Sequence, residues 1–162
     1  VYLFPSDGKV ERLNQQGYNL DNFYIFLEKL GAKSVTVFLD ACFSGASKAT
    51  EQIETENLVS MKGVNIKPRY HQPWRYNSNF NVFTSSTGEQ TSLGFDPSKT
   101  GLFTYYLCTG MQGEADLNKD RKITNGEMEQ YLKEHVQDMS RKIRGLQTPG
   151  FNGNKNDVLL KY

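Results

Sequence analysis

One cysteine follows an apolar segment directly, at a place where a catalytic nucleophile could act. Residues 35–39 read VTVFL and residues 40–45 read DACFSG, which places Cys42 just beyond the segment. In open α/β sheets the reacting groups gather at the carboxyl edge of the strands. The small neighbours Ala41 and Gly45 permit a tight turn that presents the sulfur and frees the Cys42 amide to donate to an oxyanion. A lone cysteine beside a strand is more often a small core residue. The nearby Asp40 favours the functional interpretation, because a purely structural turn at a strand end does not need an acidic residue.

A second stretch, DLNKDRKITNGE at residues 116–127, has the oxygen-ligand spacing of an EF-hand calcium loop. The candidate metal ligands are Asp116, Asn118, Asp120, Lys122, Thr124 and Glu127. Position 6 of such a loop should be glycine, and Arg121 stands there. A non-glycine residue in the left-handed region costs on the order of 1 kcal/mol, which weakens the site without forbidding it. Thr124 and Glu127 also form a capping box, which needs no metal. The sequence leaves both interpretations open, and any calcium is expected to be structural.

The elements that position these residues follow from apolar periodicity. Asn19 is predicted to cap a helix over residues 20–30, which ends at Gly31. The continuous apolar segment at 35–39 suits a central parallel strand that is covered on both faces. With an initial strand at residues 1–4, these elements predict a βαβ unit with a right-handed crossover.

The rest of the chain continues the α/β pattern. Residues 46–79 are polar and aperiodic, and so long a loop is usually functional, as a lid or a cleavable linker. A strand is predicted at 80–84, and Thr100 is a candidate cap for a helix that ends near Gly110. A long helix is predicted to begin at Thr124, and a last edge strand at 157–162. The expected result is three or four strands with helices on both faces.

Composition excludes several classes of protein. The 162 residues are enough for one domain with its own core. A net charge of +1 creates no field that would attract nucleic acid or an anionic membrane. The sequence has no apolar run near the roughly 20 residues that cross a bilayer, and no signal-peptide pattern. Two cysteines are too few for a disulfide framework. We therefore expect a cytoplasmic domain without a nucleic-acid or membrane partner.

The ordered set of segments resembles the caspase-like cysteine peptidases of clan CD, in their bacterial caspase-like and metacaspase branch. VTVFLDACFSG at 35–45 resembles the nucleophile strand of that family, and YLFPSD at 2–7 resembles the strand after its catalytic histidine. The remaining matches are NVFTSS at 81–86, GLFTYYL at 101–107, GEADLN at 113–118 and QTP at 147–149. The resemblance implies a three-layer α/β sandwich with a mostly parallel central sheet. It also implies one catalytic domain without its N-terminal part: large-subunit residues 1–45, a possible processing linker at 46–79 and small-subunit residues 80–162.

The resemblance also implies a Cys-His dyad that hydrolyses peptide bonds in a peptide or protein substrate, with no cofactor needed. Cys42 would be the nucleophile and, through its amide, an oxyanion donor. Asp40, Ser85 and Ser92 would bind substrate. Strand alternation turns Asp40 to the same side as Cys42, and a buried carboxylate there would favour Arg or Lys before the scissile bond. The alternative is that Asp40 caps the next turn or pairs with a lysine.

The histidine of the dyad has no counterpart in this chain. The family places it in a Gly-His-Gly-like turn upstream of the strand where the sequence begins, and neither His71 nor His135 matches that motif. We expect it on a preceding segment of the same protein, packed beside residues 1–4. The alternative function is an inactive caspase-like module that binds partners or calcium.

Overall fold

The computed structural model describes residues 2–3, 7–41, 71–87 and 90–162, so Cys42 lies outside the described residues. The strands are β1 Tyr2–Leu3, β2 Tyr18–Asn19, β3 Val35–Leu39, β4 Phe80–Thr84, β5 Gly94–Phe95, β6 Thr100–Gly101, β7 Lys122–Thr124, β8 Gly150–Asn152 and β9 Val158–Lys161. The α-helices are α1 Leu13–Gln16, α2 Leu20–Lys29, α3 Leu102–Thr109 and α4 Asn125–Lys142. Short 3-10 helices span Val10–Arg12 and Pro73–Arg75, and a π-helical segment spans Gly110–Glu114.

The central sheet has the order β3-β4-β8. β3 and β4 are parallel, with Val35 opposite Phe80 and Leu39 opposite Thr84, which confirms both predicted strands. β8 is antiparallel to β4. The register brings the carboxyl ends of β3 and β4 to the same edge, so Asp40 and Ser85 follow side by side. The expectation of a large, mostly parallel sheet is not met within the described residues, because this sheet has three strands and one of them is antiparallel.

The sheet is covered by helices on both faces, as expected for an α/β fold. Along β3, Val37 and Leu39 pack in a cluster with Leu20 and Tyr24 of α2. Phe38, between them, packs on the other side in a cluster with residues of α3 and α4. The alternation places successive side chains on opposite faces. The buried strand is therefore anchored from both sides, which fixes the point where Asp40 leaves it.

Two of the predicted helix caps are confirmed and one is wrong. The Asn19 side chain accepts hydrogen bonds from the amides of Asp21 at 2.9 Å and Asn22 at 3.1 Å, at the start of α2. Thr124 and Glu127 form the predicted capping box of α4. Thr100, however, lies in β6, and Gly101 is the N-cap of α3. Thr100 is held in the β5–β6 hairpin opposite Phe95, one residue too early to cap the helix.

The predicted βαβ unit is wrong. β1 pairs antiparallel with β2, with Tyr2 opposite Asn19, in a separate two-stranded sheet. Pairing with a nearby segment closes a shorter loop than pairing across a helix, and this lowers the entropic cost. The strand predicted at the end of the chain exists as β9, but it pairs with β7 and not with the central sheet. No helix among the described residues has the length and apolar character needed to cross a membrane.

Candidate active site

The carboxyl edge of β3 and β4 is held together by Ser85. Its amide donates to the Leu39 carbonyl at 2.8 Å, which extends the parallel pairing past Thr84. Its hydroxyl donates to the carbonyl of Ala41, the residue before Cys42, at 3.2 Å. Ser85 is fully buried. In this structure the predicted substrate-binding serine therefore contacts the backbone directly before Cys42, and its hydroxyl is engaged in that contact.

The Asp40 carboxylate lies between two hydroxyl groups from distant parts of the chain. The Ser92 hydroxyl donates to Oδ1, and the Thr104 hydroxyl donates to Oδ2 at 2.6 Å. Thr104 is in the first turn of α3, where the helix dipole favours a negative charge. The predicted residues Asp40 and Ser92 are thus brought into direct contact. Thr104 was not predicted, since its spacing from Asp40 carries no local signal.

The expectation that Asp40 is buried is wrong, because the residue is exposed. Its strand ends at Leu39, so the carboxylate emerges at the sheet edge and not within a helix-covered layer. The proposed internal pairing with a lysine is not found either. Within the described part of the chain, no Lys or Arg lies at ion-pair distance from Asp40.

Gly101 makes room for the Asp40 carboxylate. A Cβ at this position would overlap Oδ2 of Asp40. Gly101 is also the N-cap of α3 and supplies no side-chain cap of its own. The missing side chain therefore lets an acidic group from β3 approach the start of α3 closely.

Gln147 is a buried residue of the site that sequence reasoning did not single out. It is fully buried. Its side-chain amide donates to the Ser85 carbonyl at 2.9 Å, and its oxygen accepts from the Leu93 amide at 2.8 Å. The only sequence signal was its place in the QTP segment, which the family resemblance included without a role.

The two histidines lie in different parts of the domain, His71 in irregular backbone just before the 3-10 helix Pro73–Arg75 and His135 on α4. His71 Nε2 is 2.6 Å from Oε2 of Glu28 on α2, and the His71 amide donates to Asp21 Oδ1 at 2.6 Å. His135, on α4, is exposed and stacks on Tyr106 with ring centroids 5.4 Å apart. The hydrogen bonds and ring contacts described for both involve other residues than Asp40 and Ser85.

The acidic loop at 116–127 folds with the backbone that an EF-hand loop requires at its sixth position. Arg121 has φ 64°, in the left-handed region. Asp116 accepts from the amides of Asp120 and Arg121 at 3.2 and 3.0 Å. Asn118 Oδ1 also accepts from Asp120 at 2.9 Å, and Asp120 Oδ1 accepts from Lys122 at 2.9 Å. The acceptor groups therefore fold the loop by binding its own amides.

The carboxylates of the loop are used differently at its two ends. The pKa of Asp116 is lowered: lost hydration would raise it, but hydrogen bonds from Tyr162 and the backbone outweigh that effect. Glu127 Oε2 accepts from the Thr124 amide at 2.9 Å, whereas Oε1 is buried without a hydrogen-bond partner. Among the residues described, no group of three or more His, Cys, Asp or Glu side chains is arranged to hold a metal. Calcium binding stays a prediction.

Comparison with protein families identifies the class of protein. The family model described as Caspase domain matches residues 4–160, nearly the whole chain. The chain therefore belongs to the caspase-domain family of cysteine peptidases, which confirms the resemblance at the level of the family. No curated protein matches the chain.

Proposed function

We propose that this chain is the nucleophile-bearing part of a cysteine endopeptidase that cleaves after Arg or Lys. Membership of the caspase-domain family supports the reaction class. The observation that carries the basic preference is the Asp40 carboxylate, which lies two residues before Cys42 in the sequence and is held by Ser92 and Thr104. The catalytic histidine is supplied by a preceding segment of the same protein.

In this proposal the Cys42 thiolate attacks the carbonyl carbon of the scissile bond. A neighbouring imidazolium lowers the pKa of the thiol and protonates the leaving amine. The Cys42 amide and a backbone amide beside the histidine stabilise the oxyanion. Water, deprotonated by the imidazole, then attacks the thioester, which releases the acid product and restores the Cys42 thiolate beside the imidazolium. These steps conserve atoms and electrons, so the hydrolysis needs no redox step and no cofactor.

Asp40 suits a guanidinium or ammonium group for two physical reasons. Each carboxylate oxygen has about two lone-pair sites, and the hydroxyls of Ser92 and Thr104 take one on each oxygen. The remaining sites allow a paired, charge-assisted contact with an arginine side chain. The two hydroxyls fix the carboxylate in advance, so less conformational entropy is lost when substrate binds.

Ser85 and Ser92 take part in substrate binding through these contacts. Ser92 holds the carboxylate that receives the basic side chain. Ser85 holds the carbonyl of the residue before the nucleophile. In this proposal, both serines act by positioning the residues on which substrate binding depends.

The test is a fluorogenic assay of the full-length protein with peptides that end in Arg, Lys, citrulline or Asp. We expect turnover of the Arg and Lys peptides only, and at least a 100-fold loss of kcat/KM for Arg in Asp40→Asn. Cys42→Ala should be inactive but folded, while Cys108→Ala, which changes an exposed cysteine on α3, should keep its activity. A parent that prefers citrulline or Asp would refute the basic preference. No turnover of any peptide would favour the non-catalytic interaction module.

A further inference from the structure

Gln147 joins the two backbone segments that border the proposed site. Its side-chain nitrogen donates to the Ser85 carbonyl, and its oxygen accepts from the Leu93 amide. Each end of the amide thus meets the complementary backbone group, so the reversed orientation would leave both without a partner. The Gln147 side chain therefore bridges the backbone at Ser85 and the backbone at Leu93, as a peptide group of a strand between them would.

Each of these segments continues directly into a residue that contacts the site. Ser85 donates its hydroxyl to the carbonyl of Ala41, which precedes Cys42. Leu93 follows Ser92, which donates its hydroxyl to Asp40. The Gln147 amide is therefore connected through Ser85 to the Ala41 backbone, and through Leu93 and its neighbour Ser92 to the Asp40 carboxylate.

Gln147 is itself fixed from the outside of the site. α4 ends in a Schellman motif, in which Arg144 adopts φ 60° and the Gly145 amide donates to the Ser140 carbonyl at 2.7 Å. The Ser140 hydroxyl then accepts from the Gln147 amide at 3.2 Å. Ser140, like Gln147, is fully buried. The end of α4 therefore determines where the Gln147 side chain enters the interior.

We propose that Gln147 is a positioning residue that sets the Asp40 carboxylate and the Ala41 backbone, which leads into Cys42, relative to each other. This inference rests on the proposed peptidase function. Gln147 acts through Leu93 and Ser92 on substrate selection, and through Ser85 and Ala41 on the nucleophile. A purely structural residue would alter the amount of folded enzyme without altering its choice of substrate.

The experiment compares the full-length parent with Gln147→Met, which keeps the volume and removes both hydrogen bonds. The control is Asn81→Leu. Asn81 is a buried amide at the opposite end of β4 whose oxygen accepts from the Asn154 amide at 2.9 Å. The readout is the ratio of kcat/KM for matched Arg and citrulline peptides, with active sites counted by an irreversible peptidyl inhibitor.

We expect the ratio to fall about tenfold in Gln147→Met, the effect of losing roughly 1.4 kcal/mol of differential binding, and to stay at the parent value in Asn81→Leu. Gln147→Glu covers the case in which Gln147→Met does not fold. Burial raises the pKa of the introduced carboxyl, and its protonated form supplies the one donor and the one acceptor that these two contacts use, so at about pH 5.5 the ratio of this variant should approach that of the parent. An unchanged ratio in Gln147→Met, an equal fall in Asn81→Leu, or a ratio in Gln147→Glu as low as in Gln147→Met would overturn the inference.

A second readout separates this inference from the proposed function. If the parent shows no preference for Arg, the proposed specificity fails, and the alkylation rate of Cys42 by iodoacetamide decides the role of Gln147. Mass spectrometry follows the Cys42 peptide, with the exposed Cys108 as internal reference. A rate changed at least threefold in Gln147→Met but not in Asn81→Leu supports the positioning role, and equal rates in all three proteins refute it.

Discussion

Thr104 donates a 2.6 Å hydrogen bond to Oδ2 of Asp40, across 64 positions of sequence. The contact joins the first turn of α3 to the residue that leaves β3. Because α3 packs in the larger apolar cluster through Leu102 and Phe103, the hydroxyl is held in a fixed frame. The orientation of the acidic group is thus determined by the packing of a helix and not by its own strand alone.

Thr104→Val should lower the kcat/KM for basic substrates while it leaves the fold intact. The change removes one hydrogen bond to a charged group and keeps the shape of the side chain. A hydrogen bond to a charged group contributes about 1.5 kcal/mol or more, which corresponds to roughly a tenfold change. We expect kcat/KM for an Arg peptide to fall by that factor, mainly through KM. Thr109→Val is the matched control on the same helix, because its hydroxyl donates to the Tyr105 carbonyl and not to Asp40. An equal loss in both variants would contradict the assignment.

Gly101→Ala should move the Asp40 carboxylate by direct overlap. The φ of Gly101 is -65°, which alanine adopts without strain, so the effect comes from the added Cβ. We expect Arg cleavage to fall at least tenfold and the melting temperature to change little. Gly94, opposite Gly101 in the β5–β6 pair, has open space around it. Parallel kinetic assays should find Gly94→Ala active, and a fully active Gly101→Ala would show that the position of the carboxylate does not matter.

Glu129 should make stability depend on pH. It is largely buried and bonds Lys133 at 2.7 Å and Lys155 at 2.6 Å. Burial would raise the pKa of Glu129, but the two lysines outweigh it and the net shift is downward. A carboxyl with a lowered folded pKa stabilises the fold above its unfolded pKa, and this contribution is lost as pH falls through the folded value.

Glu129→Gln should therefore lower the unfolding free energy by about 1–2 kcal/mol near pH 7 and by much less near pH 3. Urea unfolding at both values measures the difference. Asp138→Asn is the control, since its pairing with Arg141 at 3.8 Å is exposed. Exposed pairs contribute about 0–1 kcal/mol, so this variant should resemble the parent. A Glu129→Gln penalty that is equal at both pH values would exclude the ion-pair explanation.

Arg121→Gly tests the calcium prediction for the loop at 116–127. Glycine relieves the left-handed backbone at φ 64°, which should stabilise the fold by up to about 1 kcal/mol without any metal. If the loop binds calcium, the rise in melting temperature upon calcium addition should be larger in this variant than in the parent. Arg144→Gly relieves the same conformation at the end of α4 and should not alter the calcium response. Equal melting temperatures with and without calcium in all three proteins would refute calcium binding.

The elements predictable from sequence were those whose signal is local. β3 and β4 are short segments rich in β-branched and aromatic residues, and α2 and α4 carry their caps in adjacent residues. β8, in contrast, is only three residues long and pairs with β4 from far along the chain, so no periodicity marks it.

The same division applies to the candidate site. Asp40 is predictable as a site residue because it follows an apolar strand, but the residues that hold it lie 52 and 64 positions away. Gln147 is a polar residue in the interior, where pattern analysis expects apolar ones. Its role depends on two backbone groups that only the folded chain brings together.

The parallel pairing of β3 with β4 also joins the two parts of the chain that lie on either side of residues 46–70. One apolar cluster combines Leu20 and Val37 with Phe80 and Val82, and the other combines Phe38 with Phe83. Both clusters therefore take side chains from either side of residues 46–70. Cutting the backbone there would remove covalent continuity while five paired positions and two shared apolar layers remain. Two fragments made separately should accordingly recognise each other and assemble, so that the pair behaves as a heterodimer built from a single gene product.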